Sequence, residues 1–148
     1  MKSLKRGFTV VEITLVLFIL GLSTAVATPS VLDLMARFRL RGAARQVMGD
    51  LMWARMHAVS ENNEFKIFVL SNHEYRILDD DDNDGKVGNG EWNGVRDIQD
   101  DYPDVTIHFS GNPIFFPRGS AQAGTITLTN RNGSKKLKVH VTGRVKIA

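Results

Sequence analysis

The residues best placed to do chemistry are a run of carboxylates in the middle of the chain. Asp80-Asp81-Asp82-Asn83-Asp84-Gly85-Lys86-Val87-Gly88-Asn89-Gly90-Glu91 fits the spacing D-x-[DN]-x-[DN]-G-x5-E. Calcium takes about six to eight hard oxygens, which carboxylates at alternate positions supply when the chain curls around the ion. Asp80, Asp82 and Asp84 would give side-chain oxygens, Lys86 its carbonyl, and Glu91 two oxygens to close the site. Gly85 permits the sharp turn. The other reading is a solvated acidic turn. No helix follows the run, so a paired helix-loop-helix calcium motif is excluded.

A second concentration of charge has the opposite sign. Residues 118–148 hold Arg118, Arg131, Lys135, Lys136, Lys138, Arg144 and Lys146 and no acid. Lys136, Lys138, Arg144 and Lys146 fall on alternate positions of one stretch and are expected on one sheet face. Such a face suits a phosphate backbone. No aromatic is interleaved to stack bases, which weighs against single-strand recognition. A solvated basic face, or one that meets a neighbour's acidic loop, is the simpler reading.

Enzymatic patterns are missing. His57, His73, His108 and His140 are scattered, with no H-E-x-x-H spacing and no triad partner in the pattern. Ser120 and Ser134 lack a nucleophile-elbow context, and Trp53 and Trp92 read as packing residues. Zero cysteine removes disulfides, thiol catalysis and thiolate zinc sites. The chain reads as a non-enzyme.

The elements that must carry these groups follow from periodicity. Phe8 to Ala27 is a run of twenty residues whose one charge is Glu12. As a helix it would be roughly 30 Å long, enough to cross a bilayer core. Lys2, Lys5 and Arg6 precede it, which favours a cytoplasmic N-terminus and an exported remainder. If the chain were cut after Gly7, the new α-amino group of Phe8 would be a counter-ion for Glu12, on the same chain or a neighbouring one. A snorkelling or protonated Glu12 on an isolated anchor is the alternative.

Beyond Pro29 a helical pattern resumes. Val31, Leu34, Met35, Phe38, Ala44, Val47, Leu51, Ala54 and Ala58 read as one apolar stripe, ending near Ser60 to Asn63. A continuous helix would be roughly 80 Å long; an anchor, a break and a separate core helix fit equally. Gly42 and Pro29 are expected to bend or weaken it.

After residue 64 the period changes to two. Phe65–Leu70 and Tyr75–Leu78 read as strands around Ser71-Asn72-His73. Val105–Phe109, Ile114–Phe116 and Thr125–Thr129 follow. Asn132-Gly133 supplies a tight turn, and Lys136–Ile147 alternates as one strand, with Leu137, Val139, Val141, Val145 and Ile147 inward. The fold class is α+β: one long N-terminal helix on a C-terminal antiparallel sheet.

Length and composition agree. The 148 residues are 43% hydrophobic and 24% charged, enough for one ordinary domain and unlike a disordered or polytopic chain. The formal charge is +3. Lys2, Lys5 and Arg6 account for all of it, leaving 16 basic and 16 acidic residues from Phe8 onward. Residues 79–104 then hold ten acids against two bases, opposite in sign to the tail.

Lys5-Arg6-Gly7-Phe8-Thr9-Val10-Val11-Glu12, followed by the apolar run and Pro29, resembles the class III leader of type IV pilins and type II secretion pseudopilins. Phe116-Pro117-Arg118-Gly119, Gly124-Thr125-Ile126-Thr127-Leu128 and Gly143-Arg144-Val145-Lys146 look like the GspH/FimT branch. Lys146 stands where that branch commonly has arginine, which forfeits a bidentate guanidinium fork. The resemblance implies a pilin-like fold with residues 1–7 as a leader removed after Gly7 by a prepilin peptidase. Phe8 would be N-methylated, and Glu12 would pair with a neighbour's N-terminus. Residues 8–28 would form a transmembrane and filament-core helix, and residues 29–148 a periplasmic domain. The protein would be a single-pass inner-membrane subunit of a helical type II secretion pseudopilus, partnered by other pseudopilin or pilin subunits. The alternative is a FimT-like minor pilin that binds DNA during uptake. Calcium is the one cofactor the residues suggest.

Overall fold

Helix α1 runs from Val10 to Glu61 without a break, across both Pro29 and Gly42. The computed structural model describes residues 7–80 and 93–148. The chain divides into two compact units, Met1–Met35 and Ala36–Ala148.

In the first unit the helix is capped by Thr9, whose hydroxyl accepts the Glu12 N–H at 3.2 Å. Thr9 and Glu12 stand at the cap and third helical positions, the arrangement of a capping box. The hydroxyls of Thr14, Ser23, Thr24 and Thr28 each donate to a carbonyl one turn back, at 2.7–2.8 Å. They are thereby satisfied within the helix, as an apolar surrounding requires. An 18-residue stretch reaches mean hydropathy 2.3, so the helix is long and apolar enough to cross a membrane.

In the second unit the buried helical residues are Ala36, Leu40, Ala43, Ala44, Val47, Leu51, Ala54 and Ala58. Their spacings of three and four make a single stripe. The expected stripe was correct from Ala44 onward and out of phase before it. Phe38 and Ala44 lie six residues apart, about 240° around a helix, so the expectation had joined two faces. Val31, Leu34, Met35 and Phe38 are each about half exposed. The helix ends as the sequence implies, with Asn62 in the left-handed region (φ 59°) and the Asn63 N–H donating to the Ala58 carbonyl at 3.2 Å. This six-to-one bond is a Schellman closure.

Among the described residues nine strands follow: β1 (Glu64–Val69), β2 (Glu74–Asp80), β3 (Asn93–Asp97), β4 (Thr106–Ser110), β5 (Ile114–Phe115), β6 (Ala121–Gln122), β7 (Gly124–Asn130), β8 (Gly133–Val139) and β9 (Val145–Ile147). They form two sheets in place of the single one expected, with orders β3-β2-β1-β5-β6 and β4-β7-β8-β9. Every pairing is antiparallel. Inward residues of both sheets, including Phe65, Ile67, Tyr75, Ile77, Ile107, Phe109, Ile126, Leu128 and Leu137, join the helix residues in one buried cluster. Four of the seven helix residues in that cluster are small alanines, which let β-sheet side chains approach the helix backbone closely.

Two features differ from the expected strands. Lys136–Ile147 is a hairpin, because Gly143 takes a left-handed φ of 74° and its N–H donates to the His140 carbonyl at 2.8 Å. Val141 therefore sits in the turn and is 66% exposed, where the alternation had placed it in the core. The β7–β8 turn also centres on Arg131-Asn132, since Asn130 and Gly133 are the last paired residues.

Gly42 has a purpose that propensity alone misses. A Cβ there would lie 2.5 Å from a ring carbon of Tyr102. The glycine is a seat for that ring on the helix rather than a bend.

Candidate functional site

Four groups of residues are candidates for function, and the elements above place all but most of the acidic run. At the N-terminus, Gly7, Phe8, Thr9 and Glu12 line one open recess. Phe8 is 77% exposed, and Glu12 is exposed on the first turn of α1. A carboxylate there faces the positive end of the helix macrodipole and completes the acidic side of the cap. Phe8 and Glu12 are thus brought together as the spacing implies.

The basic face survives the folding of its strand into a hairpin. Lys138 lies opposite Lys146 across β8 and β9, and Lys136 is two residues from Lys138 on the same side of β8. All three are exposed, as is Arg144, which sits in the turn before β9 instead of within a strand. Among the described residues, none of these four has an ion-pair partner.

Of the acidic run, Asp80 closes β2 and is fully buried. Its carboxylate is ion-paired with Lys66 Nζ. Lys66 also lies 3.7 Å from Glu64. Asp82, Asp84, Lys86, Glu91 and Trp92 lie outside the described residues.

The fourth group was not legible as a group in the sequence. Arg55 of α1 donates from Nε to the Gly119 carbonyl at 3.2 Å. A Cβ on Gly143 would fall within contact distance of that same carbonyl oxygen and 2.7 Å from Arg55 Nε. Two glycine turns, one after β5 and one between β8 and β9, therefore meet over a helix arginine. The Ala121 N–H donating to the Val141 carbonyl at 2.9 Å links the same two regions. The glycine signal was present in the sequence, but the partner, 64 positions from Gly119, has no local signature.

Residues 43–143 match the family described as Type II transport protein GspH. The chain belongs to the GspH family. The match spans the stripe of α1 from Ala43 onward, strands β1 to β8 and both glycine turns.

Solved structures carry the same fold. The minor pseudopilin EpsH from the Type 2 Secretion System of Vibrio cholerae is similar with a TM-score of 0.59 at 10% identity, covering 74% of this chain and 96% of that one. The Pseudomonas aeruginosa type IV minor pilin FimU is similar with a TM-score of 0.56 at 19% identity, covering 76% and 90%. A comparison with curated proteins finds no significant match. The family match makes the chain a type II transport protein of the GspH family, and the two solved structures share its fold. The family is structural, in keeping with the scattered chemistry of the histidines. His57 stacks on Trp53 with ring centroids 3.8 Å apart, and its Nε2 is 3.9 Å from Glu61. His108 lies on β4 and His140 in the turn after β8. His73 does have a carboxylate partner, Asp97, which the sequence pattern did not reveal.

Proposed function

We propose that this GspH-family minor pseudopilin is made as a precursor in the inner membrane and is cut after Gly7 by a prepilin peptidase. Phe8 becomes the methylated N-terminus, and the domain beyond the apolar helix lies in the periplasm. Subunits assemble through their helices into a short helical filament, with Glu12 of one chain paired to the ammonium of a neighbour. The observation that carries this reading is the exposed Phe8–Glu12 pair at the head of an apolar helix, in a chain whose folded part belongs to a pseudopilin family. Intact mass analysis of protein recovered from membranes tests it. The expected product starts at Phe8, has 141 residues and carries one added methyl group. A product that keeps residues 1–7 in cells with an active peptidase overturns it.

A DNA-binding role is the second reading, favoured by one observation: Lys136, Lys138 and Lys146 share a face with no acidic partner among the described residues. Neutralising a few phosphates makes binding fall steeply with salt. Retention of duplex DNA at low salt, lost as salt rises and lost in a Lys136→Ala, Lys138→Ala, Lys146→Ala variant, supports it. No retention at low salt excludes it.

The run from Asp80 to Glu91 remains a proposed calcium loop, formed by Asp80, Asp82, Asp84, the Lys86 carbonyl and Glu91. A cation there would compete with Lys66 for Asp80. Calorimetric titration of the protein with calcium, beside an Asp82→Ala, Glu91→Ala variant, decides the matter. Identical heats from both proteins sink the proposal.

A further inference from the structure

We propose that His73, Glu74 and Asp97 form a binding site for a zinc-type divalent cation, with a remaining coordination position open to solvent. One ligand atom from each of the three lies within 4.8 Å of the others. His73 Nδ1 and Asp97 Oδ1 are 3.1 Å apart. The two are hydrogen-bonded; zinc bonds of about 2.0–2.2 Å place neighbouring ligands of a tetrahedron about 3.3–3.6 Å apart, so an ion that takes the place of the shared proton requires the two groups to separate only slightly.

The backbone holds the three in place. Glu74 pairs directly with Asp97 across β2 and β3. The Ile98 N–H donates to the His73 carbonyl at 2.9 Å. Ser71 Oγ accepts the N–H groups of His73 and Glu74 at 3.3 and 3.0 Å. The Gln99 N–H donates to Asp97 Oδ1 at 2.8 Å. That bond, with a lesser share from His73, holds the Asp97 carboxyl below the usual carboxylate range. The Gln99 N–H thus orients the Asp97 carboxylate before any cation arrives.

A second observation favours a cation at this position. Glu74 is half-buried, and its carboxylate has no hydrogen bond or ion pair among the described residues. It faces Asp97 across the strands, where like charges are unfavourable. A divalent ion turns that repulsion into attraction. The imidazole selects its class: calcium and magnesium favour all-oxygen shells, whereas mixed nitrogen and carboxylate donors suit zinc and its neighbours. His73 and Asp97 keep 33% and 29% of their side-chain surface exposed, which provides the entry path and the open position. Bound metal would pin the β1–β2 turn to the end of β3.

The experiment uses the full-length protein in detergent micelles, stripped of metal and titrated with zinc against a chromophoric chelator. The expected result is about one zinc per chain, with affinity reduced about tenfold to 100-fold or more by His73→Ala and by Glu74→Gln. The Asp82→Ala, Glu91→Ala variant should bind zinc like the unaltered protein, which separates this site from the acidic loop. Far-ultraviolet circular dichroism confirms that each variant is folded. In nitrogen-detected spectra of the histidine side chains, zinc should shift the His73 ring signals. Zinc affinity unchanged in the folded His73→Ala variant overturns the proposal. So does zinc that leaves the His73 signals in place.

Discussion

Arg55 Nε and the carbonyl oxygen of Gly119 are joined by a 3.2 Å hydrogen bond, and Gly143 is packed against both. Through this contact the helix holds a turn from each sheet. The two glycines differ in a way that can be measured. Both have positive φ, 78° at Gly119 and 74° at Gly143. A Cβ at Gly119 would make ordinary contacts, the nearest being Val59 Cγ2 at 3.6 Å, whereas one at Gly143 would drive into backbone. Gly143→Ala should therefore lower the unfolding free energy by about 2–5 kcal/mol, from strain and overpacking together. Gly119→Ala should cost about 1–2 kcal/mol, from strain alone. Urea titrations of the two variants check the difference; equal losses would show that the close approach is not rigid.

Gly42 and Tyr102 give an independent test. Alanine is a better helix former than glycine by about 1 kcal/mol, so helix propensity alone makes Gly42→Ala stabilising. The 2.5 Å approach to the Tyr102 ring reverses the sign, with a net loss of about 1–3 kcal/mol expected. In a Tyr102→Ala background the same substitution should become neutral or favourable. A double-mutant cycle measured by denaturation reads this coupling directly. Additive effects would mean that the ring simply moves aside.

These two glycines also show where sequence reading reached its limit. The long helix, its end at Asn62 and most strands were legible, because each rests on local periodicity and local turn chemistry. The phase of the stripe before Ala44 was not, because that part of the helix has two apolar faces and burial belongs to only one of them. Gly42 looked like a weakness because its partner is 60 residues away. The last strand looked continuous because Gly143 preserves the alternation of Lys138 and Lys146 across the turn it makes. Of the residues proposed for function, Gly7, Phe8 and Glu12 can be picked out from local spacing, whereas His73, Glu74 and Asp97 cannot, because only the register of β2 on β3 brings them together.

Tyr75 supplies a prediction about alkaline pH. Its side chain lies on the opposite face of β2 from Glu74, is buried and donates its hydroxyl to Asp50. Burial, then the Asp50 charge and hydrogen bond, push the phenol far above its ordinary value of 10.0. The folded state thus holds the proton more tightly than the unfolded chain does. The associated stability is complete below that ordinary value and is lost as pH rises beyond it, when the unfolded phenol ionises first. The urea midpoint should fall more steeply above about pH 10 in the unaltered protein than in Tyr75→Phe. Lysine titration contributes to both proteins and cancels in the comparison. Parallel pH profiles would refute the assignment.

The assembly role proposed for Glu12 is separable from its place in the helix cap, and one pair of substitutions distinguishes the two. Its N–H is held by Thr9, and an acid or amide at this third helical position completes a capping box. Its charge also favours the helix N-terminus by about 0.3–1 kcal/mol. The proposed pairing with a neighbour's ammonium is a further requirement, and it depends on the charge alone. Glu12→Gln keeps the reach and polarity of the capping side chain and removes only the charge, whereas Glu12→Ala removes both. If charge pairing drives assembly, both variants should insert into the membrane normally and both should fail to join filaments, measured by cross-linking in cells and by recovery of sheared filaments. Normal incorporation of Glu12→Gln, with Glu12→Ala defective, would assign Glu12 to helix capping instead. The charge-pairing mechanism requires the glutamine variant to fail as completely as the alanine one.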